Sequence, residues 1–181
     1  AVLTVTMRRE VNAFAEVNLR LIPPPPHIER FAFGYRDTMA DLVWLRVIQD
    51  IHICENAKDG IAHVAGGPVH SEPVCRLGWV YKIIDAITTL APKWRLPYSI
   101  GAVILSVVVD DREGATRIFE KGIEQFPTDY HLLYNASYHY IWEEKKPERA
   151  AELLLTAARN GGPGWFYSLA GKLYSESGKA A

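Results

Sequence analysis

At 181 residues with 49% hydrophobic and 23% charged side chains, the chain is long enough to bury a real core, as one domain or as an elongated array. A net charge of −1 gives no global attraction to nucleic acid or to an anionic bilayer. No apolar run reaches the roughly 18 residues that a membrane span requires; the longest candidate, Ile83 to Leu90, is interrupted by Asp85.

The chain begins at Ala1 rather than at methionine, so processing, truncation or a scar upstream is expected, and a lost signal or anchor would leave no trace. Residues 1–22 mix a weak strand-like alternation, Ala-Val-Leu-Thr-Val-Thr, with a helical stripe of Val11, Phe14, Ala15, Asn18, Leu21 and Ile22. The stripe predicts a helix from Arg8 to Leu21, either packed on the first helical hairpin or projecting as a stalk or oligomerisation arm. Pro23 to Pro26 end it, because consecutive prolines donate no amide and favour an extended spacer. Residues 1–33 are therefore read as a helical or extended arm with a proline-rich linker.

From Asp37 to Ile53, the residues Met39, Leu42, Val43, Trp44, Leu45, Val47 and Ile48 nearly encircle a helix. Such a helix is buried on several sides, and Ala40 is its small contact residue. Glu55 to Glu72 breaks any period through Gly60, Gly66, Gly67 and Pro68. A structureless stretch of that length inside a compact array is functional or mobile. Ser71 and Pro73 open the next helix, which runs through Leu77, Val80, Ile83, Ile84 and Ile87 to Leu90. Later boundaries carry similar signals: Asp110 with Glu113 as a capping box, Thr128 as a cap, Pro147 in a first turn and Asn160-Gly161-Gly162-Pro163 as a stop. A closing helix is expected from Trp165 to Tyr174.

Two of these hairpins are one pattern written twice. Ala115, Phe119 and Gly122 precede Ala150, Leu154 and Ala157 by a constant 35 residues, and Pro92 precedes Pro127 by the same interval. Helices approach closely only where a side chain is Gly, Ala or Ser, and a large neighbour then fills the space beside that contact. This small-large-small pattern closed by proline, with Gly101 and Ser137 in the first helices, resembles the tetratricopeptide repeat family. The likeness covers 92–160 best and extends over 34–91 and 163–175. It implies an all-α fold, a right-handed α-solenoid of stacked helix hairpins over 34–181, with hairpins at 34–91, 92–127 and 128–162 and a capping helix at 163–175. It also implies protein binding without catalysis. Gly34-Tyr35, Met39-Ala40-Asp41-Leu42, Trp44-Leu45-Arg46 and Ile48-Gln49 are similar to the opening of a group of envelope-associated bacterial repeat proteins, which implies a periplasmic or envelope location.

The only cysteines, Cys54 and Cys75, frame the irregular stretch, which carries or adjoins His52, His63 and His70. Three readings stay open. A disulfide would close the loop and contribute about 3 kcal/mol through chain entropy. Two buried thiols would need no partner. A metal site would use both cysteines and two histidines, although no close ligand pair seeds it. No cofactor is implied: the phosphate-binding loop, the dinucleotide glycine fingerprint, the Gly-x-Ser-x-Gly elbow and His-Glu-x-x-His are all missing. Carboxylate pairs such as Asp110-Asp111 and Glu143-Glu144 fall at turns, where capping explains them.

In stacked hairpins the first helix of each pair lines a concave groove. The family's groove positions carry over to Tyr98, Ala102 and Leu105 in one first helix and to His131, Tyr134, Tyr138 and Trp142 in the next. The last four recur every three or four residues and share one helix face. Exposed, they would anchor a partner peptide or helix; buried, they would be core. A peptide-binding scaffold is expected, with self-association through the arm, or metal chemistry in the 52–75 loop, as the alternatives.

Overall fold

Proline and glycine punctuation divides the chain into helices joined by turns. The computed structural model describes the backbone of residues 24–25, 27–58 and 77–178, and the side chains of all of these except 50–58. Among the described residues there are seven helices and no strand, so the fold is all-α. A short 3-10 turn, Ile28–Phe31, precedes α1 (Arg36–Lys58), which continues past the expected end at Ile53. Next come α2 (Trp79–Leu90), α3 (95–109), α4 (Arg112–Gln125), α5 (Tyr130–Trp142), α6 (Pro147–Arg159) and α7 (Trp165–Glu176). No described helix is long and apolar enough to cross a membrane. The helix expected over Arg8 to Leu21 lies outside the described residues.

Capping side chains mark the helix ends. Asp111, fully buried, accepts from the Gly114 amide at 2.9 Å to start α4, while its other oxygen accepts from the Leu77 amide at 2.7 Å. Asp110, the expected cap, instead turns left-handed (φ 61°) and stops α3. The Asp111 amide then reaches back to the Leu105 carbonyl at 2.8 Å, satisfying a helix end that would otherwise stay open. The cap expected at Thr128 also falls one residue later, on Asp129, which accepts from the His131 and Leu132 amides at 3.0 and 3.2 Å. Thr128 is taken up by the turn that the Asp129 amide closes on the Phe126 carbonyl.

The 35-residue interval is written in the backbone as well. Ala91 and Phe126, each before a proline, have φ/ψ of −122°/72° and −132°/63°, and each accepts the amide three residues on. Asp110 and Lys145 are both left-handed, at φ 61° and 55°. Each is followed by an amide that bonds six residues back, Asp111 to Leu105 and Lys146 to Tyr140, at 2.8 Å in both cases. The turns repeat at this interval even where the side chains differ, as at Asp110 and Lys145.

Packing follows chain order: α1 lies on α2, α3 on α1, α2 and α4, α5 on α3 and α4, α6 on α5 and α7 on α6. Small residues mark the closest approaches. A Cβ on Gly122 of α4 would stand 2.9 Å from Tyr98 Cβ on α3 and 3.2 Å from Leu132 Cδ2 on α5, so only a bare Cα fits. Gly101 meets Ile84 of α2 in the same way, at 3.0 Å. Ala115, Ala150 and Ala157 are fully buried, as are the bulky Phe119 and Leu154; burying each of those two contributes about 1.5–3 kcal/mol. At the wetter edges Lys121 of α4 reaches Asp85 of α2 at 2.7 Å, and Glu120 accepts from Tyr140 of α5 and Arg149 of α6.

One helix departs from ordinary winding. Over Pro97–Gly101 and Ile104–Val109, α3 takes π-helical turns, whose bonds skip five residues, so that a turn consumes more than four. Burial follows the wider period: Pro97, Gly101, Leu105 and Val109, with Tyr98, Ala102 and Ser106 beside them, all face inward. Leu96, Ile100 and Val107 face out, 43%, 43% and 60% exposed, and Val103 and Ile104 are half-buried.

Candidate functional site

Of the seven side chains expected to line a groove, three are core. Tyr98 is 1% exposed, and Ala102 and Leu105 are fully buried. The Tyr98 ring meets Phe126 edge-on at 5.6 Å, and its hydroxyl donates to the Thr88 and Pro92 carbonyls at 3.1 and 3.2 Å. That residue locks α3 to the end of α2. The positions carried over for α3 fall together on its inward side, beside Pro97, Gly101 and Val109, so it is the phase of the helix that differs from the expectation. Subtracting the chain's own 35-residue interval from His131, Tyr134, Tyr138 and Trp142 reaches Leu96, Ser99, Val103 and Val107 instead. None of those four is buried, and that subtraction was the signal that would have found them.

α5 holds the other four away from its core-facing side. His131 is exposed and lies against Tyr130, ring centroids 4.0 Å apart. Tyr134 is half-buried, stacked on Phe166 at 5.2 Å and edge-on to Trp165 at 5.7 Å, which makes it a joint to α7. Tyr138 and Trp142, one turn apart, are 50% and 55% exposed, with rings 6.1 Å from each other. Lys145 Nζ sits 5.7 Å over Trp142, an exposed cation–π contact of about 0.5–1 kcal/mol. Leu132, Leu133, Ala136 and Tyr140 already fill the buried side of α5, so the aromatic pair has nowhere inward to go.

Between α3 and α5 lies a cleft of about 250 Å³, walled by Val103, Val107, Tyr134 and Tyr138 and floored by Phe119 and His139, with Ser106, Asn135 and the carboxylate-bearing Glu143 completing its lining. Pockets that enclose small-molecule ligands usually measure about 300–1,000 Å³, so this one suits a side chain better than a cofactor. Its α3 wall carries no charge, because residues 96–109 contain no Asp, Glu, Lys, Arg or His.

At the floor, His139 joins three helices. Its Nδ1 lies 2.8 Å from Ser106 Oγ of α3, and its Nε2 lies 2.8 Å from Thr116 Oγ1 of α4. Burial holds its pKa below the ordinary histidine value, against the pull of Glu144 and Glu143. A serine beside a histidine invites comparison with a nucleophile and its base. Here a threonine rather than a carboxylate holds the far ring nitrogen, and Ser106 is 5% exposed, which is core bonding rather than a hydrolytic arrangement.

Cys54 and His52 lie in the part of α1 whose side chains are not described, and His63, His70 and Cys75 lie outside the described residues. The disulfide, thiol and metal readings all fall there. Among the described residues no three His, Cys, Asp or Glu side chains gather as a metal ion would need. Compared with known proteins, the chain matches no family model, no curated protein and no solved structure.

Proposed function

We propose that the helical array is a right-handed α-solenoid of stacked hairpins, similar to tetratricopeptide arrays, and that its α3–α5 face docks an uncharged, apolar peptide or helix of a partner protein without catalysing a reaction. Chain-order packing and turns that repeat with the side-chain interval support the solenoid. The observation that carries the docking reading is α3 itself. Its residues 96–109 hold no charge, yet Leu96, Ile100 and Val107 meet water. A helix apolar on all sides is normally buried, and a contiguous exposed apolar patch marks a surface that something covers. Beside it stand Tyr138 and Trp142, the residue types that dominate interface energetics. The cleft between them accepts one inserted side chain. The resemblance of residues 34–49 to envelope-associated bacterial proteins supports a place in an envelope assembly.

The test uses the full chain as bait, with a partner identified by mass spectrometry and its affinity then measured with purified protein. Alanine at both Tyr138 and Trp142 should leave helical circular dichroism and melting almost unchanged, because both side chains are half exposed. Affinity should fall about 30-fold or more, the loss expected at an interface hot spot. Deuterium exchange should place the partner's footprint on α3 and α5. Undiminished affinity in the double variant, or a footprint elsewhere, refutes the reading.

A further inference from the structure

Ser106, Thr116 and His139 come from three consecutive helices and meet on one imidazole. Its tautomer follows from counting protons. Thr116 has a single hydroxyl proton, with the Arg112 carbonyl at 3.0 Å and the Glu144 carboxylate as acceptors for it. Given to either, it leaves the Thr116 oxygen to accept from Nε2–H, which is the neutral form the latch takes. Nδ1 is then a bare lone pair, and it accepts from the Ser106 hydroxyl. In this state all three side chains are satisfied, and among the described residues no buried side-chain nitrogen or oxygen lacks a partner.

We infer that His139 is a pH-sensitive latch: neutral, it ties α3, α4 and α5 together beneath the cleft, and a second ring proton reverses its bond to Ser106 of α3 and puts a charge into the joint. That proton must go on Nδ1. It turns the Ser106 contact around, from O–H donating to nitrogen into N–H donating to oxygen, and leaves the serine proton to find another acceptor. The new charge would sit between Phe119 and Tyr140, whose rings are 5.4 and 5.6 Å away, at a residue 2% exposed. Surrounding charges oppose one another. From α3 there is none between 96 and 109. Glu144 and Glu143 at the end of α5 favour the proton, while Lys146 after them and Arg112 at the start of α4 oppose it. Elsewhere on the packed helices Glu113 pairs with Arg117 and Glu120 with Arg149, and Arg46 of α1 lies over the Trp79 ring. Loss of hydration outweighs these contributions, and the ring stays neutral to lower pH than a free histidine.

The direction of the linkage is set by that order. Below about pH 6.5 the unfolded chain binds a proton that the folded chain refuses. The latch is therefore whole above that pH and weakens as pH falls through the folded value. Val103 and Val107 stand on the segment it holds, so acid should loosen one wall of the cleft. That last consequence rests on the docking reading above; the ring titration does not.

The decisive measurement is nuclear magnetic resonance of the full chain with labelled histidine, titrated downward from neutral pH. The expected result is an Nε2–H tautomer at neutral pH, a His139 midpoint below about 6.5, and amide signals of 104–109 that move with that midpoint. His139→Gln should remove the pH dependence of those amides; Ser106→Ala, a smaller change, should uncouple them from a ring that still titrates. An Nδ1–H tautomer, a midpoint at or above that of free histidine, or α3 signals indifferent to the ring would overturn the latch. Either outcome leaves the Tyr138 and Trp142 capture test untouched, so the two readings fail separately.

Discussion

Two neighbouring residues of α3 test the register on which the docking face depends. Leu105 is fully buried and Val107 is 60% exposed, although both are plain aliphatic side chains two positions apart. Truncating Leu105 to alanine removes buried methyls and leaves a cavity that the packed helices around it only partly refill, at about 2–5 kcal/mol. Truncating Val107 removes methyls that are largely in water and installs a better helix former, so its effect should stay within about 0.5 kcal/mol. For a chain of this size each kcal/mol moves the melting temperature by about 2–4 °C. Leu105→Ala should then melt roughly 4–20 °C lower, and Val107→Ala within about 2 °C of the parent. Denaturant titrations give the same contrast as midpoint shifts at unchanged slope. A helix turned so that Leu105 lined the groove would reverse the order. Val107→Ala costing more than Leu105→Ala would refute the face assignment and take the docking site with it.

Burial, with the Asp85 charge adding to it, raises the Tyr98 hydroxyl from 10.0 to about 12. A group whose folded pKa is raised contributes stability below its unfolded value and loses it as pH climbs toward the folded one. Unfolding midpoints should therefore fall between about pH 10 and pH 12, and Tyr98→Phe, which has no proton to lose, should flatten that limb; an unchanged slope in the variant would contradict the assignment. At Gly122, alanine gains about 1 kcal/mol of helix propensity. Its Cβ would meet Tyr98 Cβ at 2.9 Å, and overpacking of about 1–3 kcal/mol should outweigh the gain. Gly122→Ala should melt lower than the parent, and a higher melting temperature would mean that α3 and α4 are free to move apart.

Helix count, turn positions and the pairing of small with bulky residues were legible in the sequence, because each depends on side chains within a turn or two of one another. Ala115 with Phe119, Ala150 with Leu154, and the prolines after Ala91 and Phe126 mark their own local geometry wherever they occur. Caps slipped by one residue, to Asp111 and Asp129, because the choice between adjacent candidates falls to whichever side chain the preceding turn leaves free. His139 gave no local sign of its role. Its partners Ser106 and Thr116 lie 33 and 23 residues away, and nothing but packing brings them to one ring.

By itself, then, the amino-acid order determined an all-α fold class with a 35-residue beat, since size and turn chemistry act at short range. Which sides of α3 and α5 meet water was decided only by the assembled structure. The packed helices turn Tyr98, Ala102 and Leu105 of α3 inward and leave Leu96, Ile100 and Val107 outside. That phase is a property of three helices closing on one another, with Gly101 and Gly122 admitting the contact, and no single segment carries it.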